Sequence, residues 1–117
     1  MVIVDTGSID DTPQIVHRMG GRLFHFPWCD DFAVARNQSL GRARGDWIFW
    51  MDSDDTIDAD NGRKLRRLME RQIAPSTLGF VMQVHCPADS GHEADVTAVD
   101  HVKIFRNRPD IVFEGRI

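Results

Sequence analysis

Val2, Ile3 and Val4 are apolar at every position. A strand built from them is hydrophobic on both faces, which suits burial on both sides in a parallel sheet covered by helices. The polar stretch "DTGSIDDTP" stops it. Thr12 followed by Pro13 reads as a helix N-cap with proline in the first turn, and Ile15, Val16 and Met19 form the apolar stripe of a short helix ending at Gly20-Gly21. Residues 22–26 make a second expected strand, "FPWCDD" a loop, residues 32–43 a helix rich in small side chains, and residues 47–51 a third strand. Residues 59–72 place Leu65, Leu68, Met69 and Ile73 on one helix face, with Arg63, Lys64, Arg66, Arg67 and Arg71 around a solvated remainder. Beyond Pro75 the β-like stretches 78–85 and 99–105, either side of the polar loop "CPADSGHEAD", are suited to antiparallel pairing. The expected class is α/β, with a mostly parallel sheet, right-handed crossovers and a mixed or antiparallel C-terminal part.

A chain of 117 residues with 42% apolar and 27% charged side chains is long enough for one domain with its own core. The formal net charge of −4 speaks against nucleic acid and acidic membranes as partners, because neutralising phosphate takes a surplus of Lys and Arg. Cys29 and Cys86 form no CxxC pair, no apolar run approaches the roughly 20 residues of a membrane span, and "MVIVDTG" lacks the pattern of a signal peptide. A reduced, cytoplasmic setting is the expectation.

The third strand runs straight into acid: "FWMDSDDTID" follows Trp47, Ile48, Phe49, Trp50 and Met51 with Asp52, Asp54, Asp55 and Asp58. In open α/β sheets ligands bind beyond the carboxyl ends of the strands, where Asp5 also falls. Carboxylates gathered there repel one another unless a cation or hydrogen-bond donors offset their charge, and Mg²⁺ or Mn²⁺ takes oxygens from carboxylate and diphosphate alike. The alternative is that these aspartates only form turns and that Asp58 or Asp60 caps the next helix. The five histidines show no paired ligand spacing.

Together "VIVDTGSIDDT", "DDFAVARNQSLGRARGDWIFWMDSDD" and "IFRNRPDIVFEGRI" resemble the family 2 glycosyltransferases, which have the GT-A nucleotide-sugar-binding fold. The resemblance implies transfer of a sugar from a nucleotide diphosphate sugar to an acceptor hydroxyl, inverting and metal-dependent. It places Asp5 beside the base or ribose, and Asp52 and Asp54 at the ribose and the metal-bound diphosphate. Arg36 and Asn37 of the "ARN" stretch would lie near the nucleotide, either contacting it or, for Arg36, holding the acidic loop by an ion pair. Trp28 is the better placed indole for stacking on a sugar, since Trp47 and Trp50 belong to a strand and are expected in the core.

Relative to that family, a preceding strand and helix and the segment bearing the general base are expected outside residues 1–117, the base beyond Ile117. Exposed sheet edges would then invite self-association. A non-catalytic nucleotide-sugar or metal-binding module is the alternative. A phosphoryl-transfer enzyme of the haloacid dehalogenase type needs a nucleophilic DxDx(T/V) after its first strand, which "DTGSIDDT" does not supply.

Overall fold

The computed structural model describes residues 1–87 and 96–115. The order is β1 (Val2–Asp5), α1 (Thr12–Arg18), β2 (Arg22–His25), α2 (Phe32–Leu40), β3 (Trp47–Phe49), α3 (Ala59–Met69), β4 (Gly79–Pro87) and β5 (Val96–Arg106). This is a mixed α/β chain with one parallel and one antiparallel sheet. It divides into two compact units, Met1–Asp46 with Asn107–Ile117, and Trp47–Arg106.

In the first unit β1 and β2 run parallel, with Val2 opposite Arg22 and Asp5 opposite His25. The crossover between them is α1, which packs on β2, while α2 packs on β1. Val16 of α1 and Ala33 of α2 are buried. Thr12 is the first helical residue, not the N-cap: Asp11 holds the cap position, and the Thr12 N–H donates to the Asp10 carboxylate at 3.0 Å. The Asp11 carbonyl accepts the Ile15 N–H at 3.0 Å, the first bond of the helix, so the cap falls one residue before the threonine. Pro13 sits in the first turn as expected. At the start of α2 the Asp31 carboxylate accepts from the Val34 N–H, and the helix stops at Leu40, three residues before its expected end, with Gly41 at the C-cap.

The second unit is the antiparallel sheet β3-β5-β4, in which β5 is central. The pairing of stretches 78–85 and 99–105 is present; the polar loop between them includes residues 88–95, which lie outside the described residues. Ile48, Ile104 and Phe105 are buried along the line where the three strands meet. Gly79 starts β4 because the chains come close: a Cβ there would lie 2.7 Å from the Ile104 carbonyl oxygen. β3 is shorter than the five apolar residues suggested, yet the Trp50 N–H still donates to the Lys103 carbonyl at 3.1 Å. That third strand pairs with β5, in the antiparallel part, so the parallel part consists of β1 and β2. On α3, Leu65, Leu68 and Met69 are half-buried and the basic residues of its other face are exposed. No described helix is long and apolar enough to cross a membrane.

Candidate functional site

Asp5 ends β1 and is 7% exposed. The turn that follows folds back over it. Ser8 donates to Oδ1 through its hydroxyl at 2.5 Å and its N–H at 3.1 Å, and His25, the register partner on β2, brings Nδ1 to 3.2 Å from Oδ2. Gly7 makes the turn possible, since its φ of +128° is a conformation that side chains strongly oppose. The Ser8 hydroxyl first, then its N–H, His25 and the Gly7 N–H, hold the Asp5 carboxyl below the ordinary carboxylate range, against the opposing pull of burial. An ionised carboxylate only accepts, so the His25 proton is on Nδ1.

The α2 residues are committed in a different way. Asn37 donates through Nδ2 to the Phe113 carbonyl at 2.9 Å and accepts the Phe113 N–H at Oδ1, also at 2.9 Å. It pairs with a backbone as a strand neighbour would, retaining one N–H and one lone pair. The Arg36 guanidinium lies over the rings of Phe32 and Phe113 at 5.6 and 5.5 Å. Trp28 is 44% exposed; it meets Phe32 edge-on with ring centroids 4.7 Å apart and donates through Nε1 to Asp30 at 2.9 Å. Asp5, Trp28, Arg36 and Asn37 all belong to the first unit, whereas Asp52 and Asp54 belong to the second.

In the second unit the acidic stretch is a closed turn. The Asp52 N–H donates to Asp55 Oδ2 at 2.9 Å, and the Asp55 N–H donates to the Asp52 carbonyl at 3.1 Å. Asp55 is itself held by Lys103 of β5, whose Nζ lies 2.5 Å from the same carboxylate and 3.8 Å from the centroid of the Trp50 ring. The Trp50 Nε1–H donates to the Val102 carbonyl at 2.7 Å, which fixes the ring beneath the ammonium. Lys103 is 6% exposed. Its hydrogen bond, foremost, keeps the Asp55 carboxyl below the ordinary range despite partial burial. Asp52 and Asp54 remain exposed, and Asp54 makes no hydrogen bond or ion pair to a described residue. Asp58 caps α3, as one of the two aspartates considered for it, by accepting from the Asn61 N–H at 2.8 Å.

The four acids of this stretch therefore have different tasks: Asp55 and Asp58 anchor it, while Asp52 and Asp54 face solvent. Among the described residues no group of three or more His, Cys, Asp or Glu side chains gathers as a metal site. Reasoning from sequence missed Ser8, His25, Asp55 and Lys103. A signal existed for the last, because a lone lysine inside the apolar run "HVKIF" must find an anion if the strand is central.

The sequence pattern of Glycosyl transferase family 2 matches residues 1–109, and the chain belongs to that family. It is 35% identical over 97% of its length to a TPR repeat-containing protein of Synechococcus elongatus, and 40% identical over 69% of its length to the succinoglycan biosynthesis protein ExoO of Rhizobium meliloti. Against the prophage-derived glycosyltransferase SunS of Bacillus subtilis, identity is 24% over the whole chain. Matches to these three span 27%, 25% and 27% of the relatives' own lengths, about a quarter of each.

Proposed function

We propose that this chain binds the donor in a glycosyltransferase: it takes a nucleotide diphosphate sugar, and the protein of which it is part passes the sugar, with inversion, to an acceptor hydroxyl. The observation that carries this reading is the Asp52–Asp55 turn, which is tied down from beneath through Asp55 and leaves the Asp54 carboxylate unpaired and exposed beside Asp52. A turn needed only for its shape gains nothing from an unpaired acid at that position.

The donor set fits a hard divalent cation that shares its coordination with a ligand. Mg²⁺ and Mn²⁺ take oxygen ligands, and Mg²⁺ in nucleotide sites is commonly held by one or two carboxylates together with phosphate oxygens and water. Asp52 and Asp54 would supply the carboxylates, and Asp55, engaged by Lys103, would hold the turn that carries them. A cation bound there offsets the charge that develops on a departing diphosphate. In the same reading Asp5, ionised and fixed by Ser8 and His25, accepts an N–H or O–H of base or ribose. Arg36 and Asn37 shape the nucleotide side through the segment around Phe113, and the exposed Trp28 ring offers the sugar an apolar face.

Titrating UDP-, GDP- and dTDP-sugars into the 117-residue chain with and without Mn²⁺, followed by amide NMR, tests this. Line broadening at residues 52–55 that needs both nucleotide and Mn²⁺ is expected from at least one donor. If no donor produces Mn²⁺-dependent broadening at those residues, the reading fails.

A further inference from the structure

We propose that Lys103 is a positioning residue that sets the conformation in which Asp52 and Asp54 meet their ligand, acting through Asp55. The inference rests on the donor-binding reading for its purpose, but on its own geometry for its mechanism.

A buried ammonium is costly unless it is paired and hydrogen-bonded, and removing its one partner leaves an uncompensated charge. At 6% exposure, with Nζ 2.5 Å from Asp55 Oδ2 and 3.8 Å from the Trp50 ring centroid, Lys103 is held by an acid on one side and an aromatic face on the other. The Asp55 oxygen it touches is the one that accepts the Asp52 N–H. One oxygen thus joins a charge fixed in the central strand to the first backbone amide of the acidic turn. The Trp50 ring is locked by its bond to the Val102 carbonyl, and its backbone N–H bonds to the Lys103 carbonyl, so strand and turn entry are tied at three points around the lysine.

Nothing in this arrangement needs an ammonium merely to keep β3 and β5 paired. Their ladder runs from Trp47 opposite Arg106 to Phe49 opposite Ile104 and is formed by backbone groups. An apolar side chain of similar length would pack against Trp50 as well. What it would not do is hold Asp55 where Asp55 holds Asp52. Outer-shell partners of metal-ligating groups act in this way, and losing one typically lowers metal affinity about 10–100-fold.

The experiment compares the parent chain with Lys103→Met, Asp55→Asn, the double variant and Asp54→Asn. Two readouts are followed by amide NMR: the shift and exchange protection of the Asp52 N–H without ligand, and the Mn²⁺ concentration that half-broadens residues 52–55 in the presence of UDP or GDP. Lys103→Met is expected to lose Asp52 protection and to raise the Mn²⁺ midpoint about tenfold, while the amides of Met82 and Val84 in β4 stay protected. In the Asp55→Asn background the same substitution should add nothing further, a non-additivity that a purely structural lysine would not show. Asp54→Asn should raise the midpoint and leave Asp52 protected. If Lys103→Met keeps the Asp52 amide as in the parent, or its effect is unchanged when Asp55 is already Asn, the proposal is overturned. If the parent shows no Mn²⁺ broadening, the donor-binding reading fails instead, and the Asp52 amide still decides whether Lys103 positions the turn.

Discussion

Two acidic turns follow β1 and β3, and they treat their carboxylates in opposite ways. After β1 a single aspartate is taken out of solvent and surrounded by donors, with Ser8 supplying two bonds to one oxygen and His25 approaching the other. After β3 several aspartates stay near the surface, where Asp55 is held by Lys103 and the Asp52 N–H and Asp58 by Asn61, while Asp54 has no partner among the described residues. A carboxylate that is ionised and immobile is a fixed acceptor, useful for reading a donor group in a set position. The exposed Asp54 carboxylate, on an anchored backbone, retains the lone pairs a cation needs. In the proposed donor-binding reading the same residue type would serve recognition in one unit and cation binding in the other, and what separates the two turns is how many donors the neighbouring chain provides.

The contrast breaks most readily at Asp5. Asp5→Ala leaves the Ser8 hydroxyl and the His25 Nδ1–H without their acceptor in a part-buried setting, and losing such a partner costs on the order of 1–3 kcal/mol. Thermal unfolding should report a lower midpoint, and titration calorimetry a weaker nucleotide in the presence and absence of Mn²⁺ alike. A variant that loses Mn²⁺ dependence but keeps its metal-free nucleotide affinity would assign Asp5 to the cation.

Asp54→Asn is the complementary case, with its effect confined to binding. The side chain is exposed and unpaired among the described residues, so unfolding should be unchanged. Nucleotide affinity measured with Mn²⁺ should fall by about tenfold or more, because the variant loses a ligand itself and outer-shell losses alone cost about 10–100-fold, and affinity without metal should not move. Equal Mn²⁺ affinity in variant and parent would remove Asp54 from the site.

Much of this was legible before any coordinates. The alternation of elements, the antiparallel pair at the C-terminal end and the aspartates at the strand exits all follow from local pattern: β-branched runs, Gly and Pro punctuation, and caps. Asp58 as a cap is of that kind, because it bonds to Asn61, three residues on. What the pattern could not carry were partners far apart in the chain. Lys103 and Asp55 are 48 residues apart, and Asn37 and Phe113 are 76 apart. Which strand lies beside β3 is likewise decided by long-range pairing, and its placement with β5 was not visible in "WIFWM" itself. His25 carries no signal in spacing along the chain, because its relation to Asp5 is across a parallel register.

Acid separates the two turns more gently. The folded-state carboxyls of Asp5 and Asp55 both lie below their ordinary value, Asp5 chiefly through the Ser8 hydroxyl and Asp55 chiefly through Lys103. A depressed carboxyl contributes stability that is present above its unfolded pKa, about pH 4, and is lost as pH falls through the folded value. Stability measured by denaturant should therefore hold from neutral pH to about pH 4 as far as these two groups are concerned, and decline below it. Asp55→Asn should lower the neutral plateau and flatten its share of the decline, whereas Asp5 should continue to titrate in that variant. Superimposable acid limbs for Asp55→Asn and parent would show that the Lys103 pair contributes nothing to folding and serves the turn alone.

The smallest expected effect lies at the far end of the acidic stretch. Asp58 has an extended backbone with ψ of 164° and turns the chain into α3, accepting the Asn61 N–H at Oδ1 and the Asn61 side-chain N–H at Oδ2, 2.7 Å away. Its carbonyl accepts the Gly62 N–H at 2.9 Å, the first bond of the helix, which survives any side-chain change. Asp58→Ala therefore removes the cap and keeps the helix register, so the loss is fraying of one turn. Amide exchange at Asn61 should quicken while Arg66 and Leu68 further along α3 remain as they were. Because Asp55, three residues earlier, is fastened independently by Lys103, fraying should not travel back to Asp52, and Mn²⁺-dependent nucleotide affinity should stay at the parent value. If Asp58→Ala instead weakens that affinity as much as Asp54→Asn does, the anchor at Asp55 does not isolate the turn from the helix, and the division of the stretch into anchoring and presenting aspartates is wrong.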